Sequence, residues 1–140
     1  MISIEELQDQ NHYIMERSKI IKYMINDITI AHSQVTCDLF FELTGKIKEH
    51  FAIEEKELYK DLLTSKDNEV KQLAENFLSG SAEVKRVFKA YMKRWCHNQD
   101  LRIKNHQQFI DETADLFDMV ESRIIDETEK FYPVIRKELV

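Results

Sequence analysis

Residues that break helices are scarce in this chain. Among its 140 residues there are two glycines, Gly45 and Gly80, and a single proline, Pro133. A chain so poor in turn-formers, and rich in Glu, Lys, Leu and Ile, excludes a loop-rich or sandwich fold and predicts a nearly all-helical one. Cysteine is equally rare. Cys37 and Cys96 are too few for a disulfide framework, so reduced thiols and a cytoplasmic location are expected. No apolar run approaches the roughly 20 residues of a membrane span. The first six residues, Met1 to Glu6, are too acidic for a secretory leader. A basic excess is also missing. The net charge of -6 disfavours nucleic acid and anionic lipid as partners, leaving a protein partner or a second copy of the chain. Nothing resembles a nucleophile–base pair, a phosphate loop or a nucleotide fingerprint, so no catalytic residue is assigned and enzymatic activity is not expected. Residues 1–140 are read as one domain, long enough to bury a sizeable core.

What the chain does contain is helical periodicity. Ile4, Leu7, Asn11, Ile14, Ser18, Ile21, Ile25 and Ile28 recur at alternating steps of three and four behind Ser3, with Glu6 at capping-box spacing. A second helix is predicted from a Ser33 cap to about Leu63, and the clearest turn is Thr64 to Asn68. A third carries Val70, Leu73, Phe77, Val84, Phe88, Tyr91 and Trp95. Its small residues Ser79 to Ala82 mark close packing, a break or room for a ligand. After a polar connection, His97 to Asn105, a fourth helix carries Phe109, Thr113, Leu116, Val120, Ile124, Glu127, Phe131 and Val134. Pro133 should kink or end it near Tyr132. Four such helices with short connections predict an all-α, up-down-up-down antiparallel four-helix bundle.

The second helix breaks its own pattern. Phe40, Leu43 and Ile47 lead, at the same steps, to His50 and then Glu54. An imidazole and a carboxylate one turn apart therefore point into the interior, where burial is costly unless a metal, a counter-charge or a hydrogen-bond network satisfies them. In the predicted topology Glu127 and the N-terminal halves of the first and third helices reach the same end of the bundle.

The segment His50-Phe51-Ala52-Ile53-Glu54-Glu55-Lys56-Glu57-Leu58-Tyr59 and its echo Glu127-Thr128-Glu129-Lys130-Phe131-Tyr132-Pro133 resemble the two motif helices of hemerythrin-like, HHE cation-binding, domains. Phe88 to Trp95 is similar to a bacterial branch of that family. The resemblance implies iron held within a four-helix bundle, and oxygen binding or sensing of oxygen, nitric oxide or redox state. It places His12 near the family's first histidine.

The departures from the family pattern are large. The H-x-x-x-H pair of the family's third helix is absent, with Ala82, Glu83 and Val87 at the corresponding place, and Arg123 stands where the fourth helix should carry a histidine. The metal-ligand candidates are His12, His50, Glu54 and Glu127, with Glu83 as a speculative fifth. Four ligands suit one iron or another divalent transition metal, and a complete diiron centre is not expected. Arg123 offers an alternative, a permanent cation in the electrostatic place of a metal, which would make the chain a metal-free interaction module. His32, His97 and His106 fall at the opposite end of the bundle and are expected to be solvated. Lys85, Arg86, Lys89, Lys93 and Arg94 are read as a solvated basic face or a surface for an acidic partner.

Overall fold

The computed structural model describes residues 3–139. Each long helix begins on a side chain that satisfies otherwise orphaned amides. Ser3 accepts from Glu6 N–H at the head of α1, Ile4–Met24. Asp27 caps a single turn, α2, Ile28–Ala31. Ser33 caps α3, Gln34–Glu54. A five-residue π-helical turn, Glu55–Tyr59, and the short α4, Lys60–Leu62, continue α3. Asp67 caps α5, Asn68–Trp95, and Asn105 caps α6, His106–Asp126. A second π-helical turn, Glu127–Phe131, joins α6 to α7, Tyr132–Leu139.

Cross-helix contacts set the directions. Tyr13 of α1 donates to Glu42 of α3, while Gln10 reaches His50 further along α3, so the two run antiparallel. Phe40 of α3 stacks near Tyr91 of α5, and Glu55 receives Ser81. Tyr91 meets Thr113 of α6, and His106 at the head of α6 reaches the Ile25 carbonyl at the foot of α1. These contacts are those of an all-α, up-down-up-down bundle. No helix among the described residues is long and apolar enough to cross a membrane.

Several local expectations need correction. Ile28 lies beyond the end of α1 and is 56% exposed rather than in the core. Of the readings offered for Ser79 to Ala82, the break is not realised, since α5 runs unbroken there, while Gly80 packs closely against Arg123. The polar connection holds a minimal antiparallel ladder, β1 (Cys96–His97) with β2 (Asp100–Leu101), turned by Asn98 and Gln99 at positive φ. His106 is half-buried rather than solvated. Pro133 does not end the fourth helix. It sits in the first turn of α7, just past a π turn in which the Tyr132 amide already reaches back five residues to the Glu127 carbonyl. The π turns also shift the seams by one residue. Ile135 is buried where Val134 was expected, and Leu58 and Leu62 are buried while Glu57 and Asp61 are not.

The apolar core is in two parts. The larger includes Ile14, Phe40, Leu43, Ile47, Phe88, Tyr91, Trp95, Phe117 and Ile124. The smaller includes Leu7, Leu58, Tyr59, Phe77, Phe131, Tyr132 and Ile135. On every long helix the residues between the two sets are polar or small: Asn11, His50 with Glu54, Gly80 with Ser81, and Glu127. The bundle is thus filled by two hydrophobic masses separated by one polar layer.

Candidate metal centre

That layer holds an imidazole, two carboxyl groups and a guanidinium almost out of solvent: His50 at 1% exposure, Glu54 and Glu127 at 0%, and Arg123 at 8%. Isolated, each would cost several kcal/mol to desolvate, so their partners decide whether the layer is tolerable. His50 Nε2 lies 3.2 Å from Glu54 Oε1 and 3.4 Å from Glu127 Oε2. On the other side of the ring, Nδ1–H donates to Gln10 Oε1 at 2.8 Å. Gln10 therefore fixes the ring and aims Nε2 at the two carboxylates. A second partner of this kind is what orients a metal-binding imidazole.

The outer oxygens of the carboxylates are held separately. Arg123 Nε–H donates to Glu127 Oε1 at 3.2 Å, while its Nη2 bonds the Tyr59 hydroxyl. The guanidinium also stands 4.8 Å from the Phe77 ring centroid. The Tyr132 hydroxyl is 3.0 Å from Glu54 Oε2 and 2.9 Å from Glu127 Oε2, and shares its proton between them. Asn11 Nδ2 donates to Glu127 Oε2 at 3.4 Å and to the Tyr132 oxygen at 2.9 Å. Two atoms have no hydrogen-bond partner, Glu54 Oε1 and Asn11 Oδ1. The first lies beside His50 Nε2, on the side where a ligand sphere would form.

The groups of the layer shift one another's protonation. Burial alone would lower the His50 pKa, but Glu127 and Glu54 outweigh it and raise it to about 9. Burial, then the negative charge of Glu127, pushes Glu54 up to about 7. Burial works the same way on Glu127, yet His50, Glu54 and Arg123 together hold it below the usual carboxylate range. The ion-free layer therefore carries an imidazolium and a guanidinium against one carboxylate and a second that titrates near neutrality.

The π turns explain how two tyrosines enter the layer. In each motif segment the tyrosine stands five residues after the glutamate, Glu54 to Tyr59 and Glu127 to Tyr132. The i to i+5 pitch of a π turn keeps both on the inner face. Each crosses to the opposite helix. Tyr59 meets Arg123, and Tyr132 meets Glu54.

Of the sequence candidates, His50, Glu54 and Glu127 are brought together, with one ligand atom from each within 4.8 Å of the others. His12 is not among them. Its side chain is 83% exposed and lies 3.6 Å from Glu16 on the outer face, because Asn11 takes the inward position on the seam. Glu83 also faces out, paired with Arg86 at 2.6 Å. On α5 the residues that face this layer are Gly80 and Ser81, not Ala82, Glu83 and Val87. Gln10, Asn11, Tyr59 and Tyr132 are additions. Asn11 was detectable as a polar residue on an apolar seam. Gln10 left no such signal.

A family model described as the hemerythrin HHE cation binding domain matches residues 3–135. The chain belongs to the hemerythrin HHE family. No curated protein and no solved structure matches it. The residues present fit a cation site: the buried His50, Glu54 and Glu127 could hold a metal ion. His50 Nε2, Glu54 Oε1 and Glu127 Oε2 form a three-donor nitrogen–oxygen set, with Glu54 Oε1 otherwise unsatisfied. Around them Arg123 and Tyr132 supply the hydrogen bonds that hold the outer oxygens. On the α6 side the Arg123 guanidinium stands beside Glu127 and against Gly80.

Proposed function

We propose that this HHE domain binds a single divalent transition-metal ion, iron foremost, through His50, Glu54 and Glu127, and serves to sense oxygen, nitric oxide or redox state. The observation that carries the reading is the buried convergence of the three donor atoms within 4.8 Å, one of them, Glu54 Oε1, with no partner beyond its 3.2 Å ion-pair contact with His50. Gln10 supports it by keeping the Nδ1 proton and leaving Nε2 free to coordinate. A bound iron would supply a redox-active centre able to take a diatomic ligand. The chain's own contribution is a dry layer, a fixed imidazole, two hydrogen-bonded carboxylates and a cation beside them. Metal analysis of untagged protein, after growth with iron and after incubation with iron or zinc, tests this reading. The expected content is about one ion per chain, lost in His50→Ala and Glu54→Gln together. Clearly sub-stoichiometric metal in all preparations overturns it.

One observation favours a second reading. Arg123 is buried against Glu127 and seated where α5 has no side chain, so the layer is already neutral when His50 is protonated and Glu54 ionised. Under this reading the domain is a metal-free module whose network holds the bundle in register, and its function lies in a surface that meets a protein partner or a second copy. Full thermal stability in the presence of a strong chelator, with no shift on adding iron or zinc, is its expected signature.

A further inference from the structure

Between α3 and α5 the bundle surface is not closed. A groove of about 350 Å³ opens there, floored by Ile47 and Phe51 of α3 and by Val84, Phe88 and Met92 of α5. The α5 residues recur every fourth position, so the apolar track is about 12 Å long at 1.5 Å per residue. Every charged residue lining it is a lysine: Lys48, Lys85 and Lys89. On a chain of net charge -6 this is a local reversal of sign.

The three lysines are not equivalent. Lys85 is paired with Glu55, which Ser81 also bonds. Lys48 and Lys89 have no carboxylate within 4.0 Å among the described residues. The Lys48 ammonium stands 5.6 Å from the Phe88 ring centroid, directly over the floor, and Lys89 follows Phe88 in sequence. The two lysines without a carboxylate, Lys48 and Lys89, thus both line the groove, and the paired lysine stands beside Val84.

An inorganic anion would leave the apolar floor wet and would gain only exposed, screened contacts. A neutral hydrocarbon would leave the ammonium groups unused. A ligand that satisfies both has an anionic head and a hydrocarbon tail, and the groove volume is of small-molecule size. The geometry points to the α3–α5 groove as a binding site for a medium-chain carboxylate, a fatty-acid-like anion, its head between Lys48 and Lys89 and its tail over Phe88, Val84 and Phe51. The site does not depend on any ion at His50.

The test is titration of the full chain with decanoate, decanol and decyltrimethylammonium, each below its micelle concentration, followed by calorimetry and backbone amide NMR shifts. Decanoate should bind one to one, with shifts confined to residues 47–51 and 84–92. Decanol and the cation should bind about tenfold more weakly or worse, as loss of a charge-assisted contact implies. Lys48→Glu combined with Lys89→Glu should weaken decanoate by a similar factor and leave thermal unfolding nearly unchanged, since both residues are exposed. Equal affinity for the alcohol, equal affinity of the double variant, shifts elsewhere or no binding would each overturn the assignment. So would an acidic amphipathic peptide that occupies the groove when decanoate does not.

Discussion

A Cβ placed on Gly80 would lie 2.7 Å from Nη1 of Arg123, closer than real carbon atoms approach. The absence of a side chain on α5 and the presence of a guanidinium on α6 are therefore one feature. Gly80→Ala should gain helix propensity, up to about 1 kcal/mol, but must displace a buried, hydrogen-bonded cation. The expected net effect is a loss of about 1–3 kcal/mol in denaturant unfolding. Gly45 is the control. It is exposed in mid-helix, and a Cβ added there would meet nothing within 4 Å, so Gly45→Ala should stabilise by about 0.5–1 kcal/mol. A stabilised Gly80→Ala variant would show that Arg123 has an outward alternative.

Arg123 itself is the larger perturbation. Arg123→Ala leaves Glu127 Oε1 and the Tyr59 hydroxyl without their donor, and a buried pair broken on one side typically loses about 3–5 kcal/mol. Urea unfolding in the presence of chelator measures this, and an unchanged midpoint would refute a structural role for the pair. Arg123→His should instead add an imidazole on the α6 side and strengthen metal binding.

Gln10 offers a cleaner probe of the centre, because it touches the imidazole and neither carboxylate. Gln10→Leu should leave the fold intact and weaken metal binding by about 10–100-fold, the usual effect of removing a partner behind a coordinating histidine. Competition with a chromophoric chelator reads the affinity. Equal affinity would mean that Gln10 does not orient the ring.

The pH dependence of the ion-free protein has a definite sign. His50 and Glu54 have folded pKa values above their usual ones, at about 9 and about 7, so each stabilises the fold at low pH and loses that contribution as pH rises through the folded value. Glu127 is held low and contributes above the usual carboxylate range, losing its share as pH falls through that range. In chelator, the thermal midpoint should therefore be highest in mildly acid solution and decline from neutrality to about pH 9. Divalent metal should reverse the trend, because coordination at Nε2 displaces a proton and strengthens as pH rises. A midpoint flat from pH 5 to about 9 would contradict the charge assignment of the layer.

The four helices and two of their caps, Ser3 with Glu6 and Ser33, were legible because apolar spacing and capping residues are local signals. His50, Glu54 and Glu127 were legible for the opposite reason, as polar residues on apolar seams. His12 was misplaced because motif resemblance positions a residue only to within one or two places, whereas the seam passes through Asn11. The π turns were missed although a trace exists. Past Glu54 the strict steps fall on Glu57 and Asp61, while the apolar residues Leu58 and Leu62 come one place late. The fit between Gly80 and Arg123 joins residues 43 positions apart and has no sequence-local signature.

The twin π turns have a consequence for how such a domain can vary. Each adds one residue to a helical turn at the level of the polar layer, and everything beyond it is rotated to suit. Deleting one residue from either segment would restore ordinary helical pitch. It would also turn Tyr59 or Tyr132 away from its partner across the bundle, and unseat Leu62 or Ile135 from the smaller core. A substitution around the centre leaves this helical phase unchanged. The length of the two motif segments cannot drift, since a single-residue change in it would dephase a whole end of the molecule.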